Sequence, residues 1–277
     1  MIARQSAPTM VLVRPNAVRR LAVLGALLAA GPVATGALVA CGSHPPSPAG
    51  AASGDPTPTA APTAAARAQL AARAAAAQDR HMLAFYTLTA VDQPPRTVTV
   101  VRADDDTWRV DIAGGALGGA VDVSIIETRA GLFQCALPTL DRLVTGSCVR
   151  VADPGGRISA AYDPRVQHPF TDWLDVLTDP RVAVAVSTVT PLRGTSGTCY
   201  TVESTSTSLS APLDVGVYCF ADDGTLTGAK VSFGTLTLAG TPSEAPPTVS
   251  LPAPVVAGDP VPTAAPPSPT ASTGVGG

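Results

Sequence analysis

Lysine is almost absent from this chain of 277 residues, with Lys230 the single example. Charged residues make up only 14% of the sequence, aromatic residues 4%, and the net charge is −3. So few cations cannot supply the phosphate contacts that nucleic-acid binding requires, and no nucleic-acid partner is expected. No G-x-S-x-G elbow, G-x-x-x-x-G-K-[ST] loop or C-x-x-C pair occurs, which removes the sequence signs of a serine hydrolase, a P-loop nucleotide site and a zinc site. The run Gly114-Gly115-Ala116-Leu117-Gly118-Gly119 departs from G-x-G-x-x-G and leads into no helical pattern, so it reads as a connection between strands. No cofactor and no metal are expected.

What the first forty residues do have is Arg4, Arg14, Arg19 and Arg20 without a single acid, followed by an apolar run from Leu21 to Ala40. A positive start, an apolar stretch and small residues before a break make a secretory signal. Leu38-Val39-Ala40-Cys41 resembles the bacterial lipobox. That resemblance implies cleavage before Cys41, lipid on its thiol, and attachment to the extracytoplasmic face of the cell membrane. Left uncleaved, twenty apolar residues would instead span a bilayer, although Gly31-Pro32 and the many small residues weaken that helix. Arg19-Arg20-Leu21-Ala22-Val23 fits a twin-arginine signal as well as an ordinary one, so the export route stays open, as does a start at Met10.

The expected organisation is a signal peptide over 1–40, a lipidated linker over 41–63, one globular domain over 64–241 and a tail over 242–277. Residues 44–62 read HPPSPAGAASGDPTPTAAP. Proline fixes φ and lacks a donor, and nothing here buries apolar surface, so the linker is expected to be extended or disordered. The tail repeats that composition and is expected to behave in the same way. Both stretches offer Thr and Ser for O-linked sugar, with an unmodified solvated chain as the alternative.

Between them, Thr63 is placed to cap an alanine-rich helix over 64–77. Short alternating runs then take over. In 107–112, Trp108, Val110 and Ile112 share one face while Thr107, Arg109 and Asp111 share the other, the mark of an antiparallel strand with one wet side. Similar runs occupy 83–89, 97–102, 121–127, 132–135, 148–151, 182–189, 198–203, 216–221 and 226–238. In the last, the apolar parity switches across Gly234, which reads as a bulge. Residues 164–179 break the pattern, with Val166, Phe170, Trp173, Leu174 and Leu177 spaced as an amphipathic helix of three turns. The fold expected is α+β: a curved, half-barrel-like antiparallel sheet of about nine or ten strands with one or two helices packed on it.

Cys135, Cys148, Cys199 and Cys219 remain after Cys41, an even number in an exported chain. Of three possible pairings, Cys135–Cys148 and Cys199–Cys219 are favoured because each joins neighbouring β-runs. Asp223-Gly224 lies between two such runs as a tight hairpin turn.

Acid–base candidates are few. His81 has Asp79 nearby in sequence and His168 has Asp172, but neither has a recognisable nucleophile, and both read as surface or helix-edge histidines. Asp104, Asp105 and Asp106 lack the further oxygen ligands of a calcium loop and read as a turn. Asp172, Asp175 and Asp179 form the polar side of the second helix. Catalysis is not expected.

The order of lipobox, Pro/Thr linker, alanine-rich helix, alternating strands, amphipathic helix and a closing Asp-Gly hairpin resembles actinobacterial surface lipoproteins. These have the half-barrel architecture of periplasmic lipoprotein carriers and mycobacterial glycolipid carriers. The resemblance is architectural and spans 64–241. It implies an apolar concavity for acyl chains, with Trp108, Phe170 and Trp173 as candidate ligand-binding residues. The function expected is therefore that of a membrane-anchored lipoprotein carrying a hydrophobic ligand. The alternative is a non-catalytic envelope scaffold or partner-binding module without a pocket.

Overall fold

In a computed structural model, described over residues 62–138, 145–206 and 212–265, eleven antiparallel strands form one curved sheet that does not close on itself. The chain enters through helix α1 (Pro62–Gln78) and lays down β1 (Met82–Thr89), β2 (Arg96–Arg102), β3 (Trp108–Ala116), β4 (Val121–Thr128), β5 (Gly131–Ala136) and β6 (Ser147–Ala152) as a meander. A crossover carrying α2 (Asp172–Thr178) then leads to the opposite edge. There β7 (Val184–Val189), β8 (Thr198–Ser204), β9 (Gly216–Phe220), β10 (Leu226–Val231) and β11 (Gly234–Leu238) run back towards the middle, where β11 pairs with β1. First and last strands thus meet at the centre, and β6 and β7 are the edges. The α+β half-barrel architecture is as the alternation implied.

Strand alternation sets the two faces. Register places Tyr86 opposite Val98 and Leu238, Val98 opposite Ile112, Ile112 opposite Val123, and Tyr200 opposite Tyr218. These residues, with Ile125, Leu236 and Ala229, make the inner face, and both helices pack on it to form the main core. Buried Tyr86 and Tyr218 keep their hydroxyls satisfied by donating to Leu226 O at 2.8 Å and Asp214 O at 2.6 Å. Burial pushes both phenols above their ordinary pKa.

Helix α1 begins at Pro62, ahead of the expected Thr63 cap. It carries little bulk, and that is how it fits: Ala66, Leu70 and Ala74 form a buried stripe at four-residue spacing. Its arginines do the docking. Arg67 donates to three carbonyls, Val184 O at 2.7 Å, Val182 O at 2.8 Å and Asp179 O at 3.0 Å, which ties the end of α2 and the start of β7 to the helix. Arg73 donates to Asp222 O at 2.6 Å in the β9–β10 turn. In that turn Gly224 has φ +84°, and an added Cβ would lie 2.4 Å from Ala77 N. The turn therefore needs glycine twice, for its φ and for the helix against it.

Two sequence expectations change here. Residues 226–238 are two strands instead of one bulged strand, because Val231 pairs with Gly234 around Ser232-Phe233. A two-residue loop makes paired positions differ in parity, so Ala229 and Leu236 face the same core. That accounts for the parity switch and raises the strand count to eleven. The three-turn helix over 164–179 is instead a 3-10 turn (His168–Phe170) followed by the seven-residue α2. Pro169 lacks an amide donor, and Thr171 at φ −132°, ψ −114° separates the two pieces.

The larger difference lies at the C-terminus. Residues 242–265, expected as a solvated tail, wrap the β6 side of the sheet. Ser243 exchanges backbone hydrogen bonds with Leu83 at 3.1 and 2.8 Å. Val249, Leu251 and Ala253 then cover a second cluster on the outer face, Ile126, Phe133, Cys135 and Cys148. Next the segment runs beside the β6 edge, where Cys148 N donates to Pro254 O and Val256 N to Cys148 O, both at 2.9 Å. It then reaches inner-face Gln134, whose amide accepts from Val261 N at 2.6 Å and donates to Val261 O at 3.0 Å. Proline lacks its own amide donor, yet its carbonyl and its neighbours' backbone groups find partners on the sheet. Residues 266–277 lie outside the described residues.

Both expected disulfides are present, Cys135–Cys148 and Cys199–Cys219. In each the two cysteines are directly opposite one another on adjacent strands of the outer face.

Candidate ligand cleft

The β6–β7 crossover does more than connect the edges. Its first part, residues 155–165, stands away from the inner face of β2 to β5 and leaves an open cleft of about 810 Å³. Trp108 on β3 and Leu132 on β5 belong to the sheet wall, Ile158 to the crossover, and Trp173 and Val176 to α2. More of the lining side chains are polar than apolar, including Arg102, Glu127, Arg157, His168 and Asp175. The apolar concavity implied by the resemblance is largely occupied by α1 and α2, and this cleft is what lies beside them.

Of the three candidate ligand residues, two meet here. Trp108 is half-buried, and Trp173 is buried with one edge on the cleft. Phe170 is in the core, tilted against Tyr86 with ring centroids 4.8 Å apart, and it lines no part of the cleft. The four disulfide cysteines lie on the other face of the sheet. Cys41 lies outside the described residues.

A hydrogen-bonded polar group on the cleft wall is built around His168. Its Nε2 is 2.8 Å from Asp163 Oδ2 and its Nδ1 is 2.6 Å from Asp172 Oδ1. The ring stacks on Trp173 with centroids 5.3 Å apart. Burial alone would lower the imidazole's pKa, but hydrogen bonds and charge from the two carboxylates outweigh it and raise His168 to about 9. Burial likewise opposes ionisation of Asp163, yet bonds from His168, Gln167 Nε2 and Arg165 N hold its carboxyl below the usual range. His168 is thus a cation clamped on both nitrogens, a strut between the crossover and α2.

Beside it Arg165, at φ +66°, pairs with the nearly buried carboxylate of Asp214, which also accepts from Ser232 Oγ at 2.5 Å. The crossover ahead of the 3-10 turn is therefore tied through Asp214 to the β10–β11 loop.

His168 with Asp172 is the neighbour relation read from the sequence, at i,i+4 spacing. Asp163 was missed because it belongs to a turn; Asp163-Pro164 was its sequence signal. His81 faces Asp106 at 3.2 Å and Asp104 at 3.8 Å instead of Asp79, since the β2–β3 hairpin folds over it. Within that hairpin Asp105 accepts from Thr107 N and Oγ1 at 3.2 and 2.6 Å, an Asx turn. Among the described residues no group of three or more His, Cys, Asp or Glu side chains is arranged to hold a metal ion, and no helix is long and apolar enough to cross a membrane.

No family model matches the chain, and no curated protein matches it.

Proposed function

We propose that this chain is a lipoprotein anchored to the extracytoplasmic face of the cell membrane through lipid on Cys41, and that its half-barrel domain binds a hydrophobic, amphiphilic ligand in the cleft beside α2. The observation that carries the reading is the cleft itself. It opens on the inner face of an unclosed sheet and puts two tryptophans, Trp108 and Trp173, among charged side chains. Such a wall suits a molecule with an apolar body and a polar head. Supporting the anchored location are the lipobox-like Leu38-Val39-Ala40-Cys41 and two disulfides, which form and persist in oxidising surroundings.

A binding role fits His168 better than a catalytic one. Both ring nitrogens are engaged by carboxylates, so neither is free to take a proton from a substrate.

Two experiments test the reading. Radiolabelled palmitate should enter the wild-type protein, and Cys41→Ala should abolish both labelling and membrane fractionation. A Cys41→Ala chain that still fractionates as an integral membrane protein would make residues 21–40 an uncleaved anchor. Mass spectrometry of lipid extracts from the released Cys41→Ala protein should recover a bound amphiphile. An empty extract, together with no uptake of fluorescent fatty acid, would favour a scaffold or partner-binding module.

A further inference from the structure

The cleft's charges divide into those already satisfied by the protein and those that are not. Asp163 and Asp172 both bond the His168 cation, Asp175 accepts from Gln78 Nε2 at 2.6 Å, and Asp106 faces His81. Two cations stand apart. Arg102 and Arg157 both line the cleft, and neither guanidinium meets a carboxylate or carbonyl among the described residues. Arg102 is half-buried, and its Nε–H is fully buried without an acceptor. Among the other described arginines, Arg129 and Arg193 are exposed on turns outside the cleft and the rest reach a carbonyl or carboxylate of the protein. Arg157 is exposed as well, and its place on the cleft wall sets it apart.

Position strengthens the point. Arg102 pairs in register with Trp108, and Trp108 with Glu127. A cation, an indole and an anion therefore follow one another across β2, β3 and β4 on the inner face. Arg102 and Glu127 are held two strands apart and form no ion pair. A partly buried guanidinium without a counter-ion is unfavourable in the free protein, and an anionic oxygen group from outside would offset that cost through charge-assisted bonds.

We propose that Arg102 and Arg157 form an anion subsite in the cleft, which takes a phosphate or carboxylate group. Trp108 supports the adjoining part of the ligand, and Glu127 accepts from a donor on it. Resting on the reading above, this assigns the amphiphile an anionic headgroup. The same chemistry also admits free phosphate.

The test uses the purified full chain and isothermal titration with three probes: dihexanoyl phosphatidic acid, dihexanoylglycerol and inorganic phosphate. The phosphatidic acid should bind roughly tenfold or more tightly than the neutral lipid, the size expected for one or two charge-assisted bonds. Arg102→Gln and Arg157→Gln should each reduce that preference, and together erase it, with the neutral lipid still bound. Glu127→Gln should tighten phosphate binding by removing a like charge. Arg157 lies on an exposed stretch of the crossover, so its variant retains the test if Arg102→Gln does not fold.

Equal binding of the two lipids, unchanged in the variants, would overturn the anion subsite and leave the hydrophobic-ligand reading intact. Arginine-dependent binding of phosphate with neither lipid bound would uphold the subsite and sink the lipid reading. Binding of none of the three would overturn both.

Discussion

The outer face of the sheet carries two buried cross-strand disulfides, and they are covered in different ways. Cys199–Cys219 lies under the adjoining β7–β8 loop: Thr195 Oγ1 sits 3.7 Å from Cys199 Sγ, and Thr227 Oγ1 donates to Ser196 O at 2.7 Å. Cys135–Cys148 lies under Val249, Leu251 and Ala253, which arrive about a hundred positions later in the chain. The edges differ likewise. The β7 side is bound to α1 through Arg67, whereas β6 is lined by the C-terminal segment. One half of the sheet is completed locally and from the front of the chain, the other from its far end. Loss of either cover should therefore damage one half far more than the other.

Truncation after Gly240 is the most severe way to test that difference. It uncovers the Ile126–Phe133 cluster and the β6 edge, and should cost on the order of 5 kcal/mol, read by urea denaturation. In mild reductant, alkylation should then label Cys135 and Cys148 well before Cys199 and Cys219. Equal labelling of the two pairs would show that the halves do not fail separately.

Gly224→Ala attacks the other half, forcing a Cβ at positive φ against the backbone of α1. It should destabilise by about 3 kcal/mol and speed hydrogen exchange in α1. Reduction of Cys135–Cys148 should stay at its wild-type rate.

The crossover that joins the halves is held by His168, and its contribution depends on pH. Because His168 is raised to about 9, its stabilisation is whole below its ordinary 6.5, declines as pH rises and is gone above about 9. The difference amounts to no more than about 3 kcal/mol. Asp163, held below its ordinary range, gives the opposite arm: its contribution is present above that range and is lost as pH falls through its lowered pKa. Stability should therefore be greatest in mildly acidic to neutral solution. His168→Gln should flatten the alkaline arm, and an unchanged arm would assign the pH dependence elsewhere.

The smallest effect is expected from Gln134→Met, which strands Val261 N–H and both carbonyls that the amide reaches. It should cost about 2 kcal/mol and loosen residues 261–265 in hydrogen exchange, leaving α1 protected.

Strand positions were legible in the sequence because a half-buried strand writes its environment into period-two alternation, as in Trp108, Val110 and Ile112. The disulfides were legible because each joins adjacent β-runs, so chain order alone favoured the pairing. His168 with Asp172 was legible from its four-residue spacing. Asp163 was not, since a turn imposes no such period. Gly234 showed as a parity switch, but the same switch arises from a bulge or a two-residue turn, and only the pairing of Val231 with Gly234 decides between them. Phe170 read as part of a ligand wall because an apolar helix position does not say whether it meets a ligand or the core.

The sequence by itself determined the alternating sheet, the alanine-rich helix, the favoured cysteine pairs and a lipobox-like Cys41, all of them consequences of neighbouring residues and local periodicity. Tertiary structure alone decided that a proline-rich stretch serves as cover for the sheet, that α1 and α2 fill most of the inner face, and that Arg102 and Arg157 share a cleft with no protein acceptor among the described residues. These depend on which distant backbone donors and apolar patches come within reach after folding, and no local pattern encodes that.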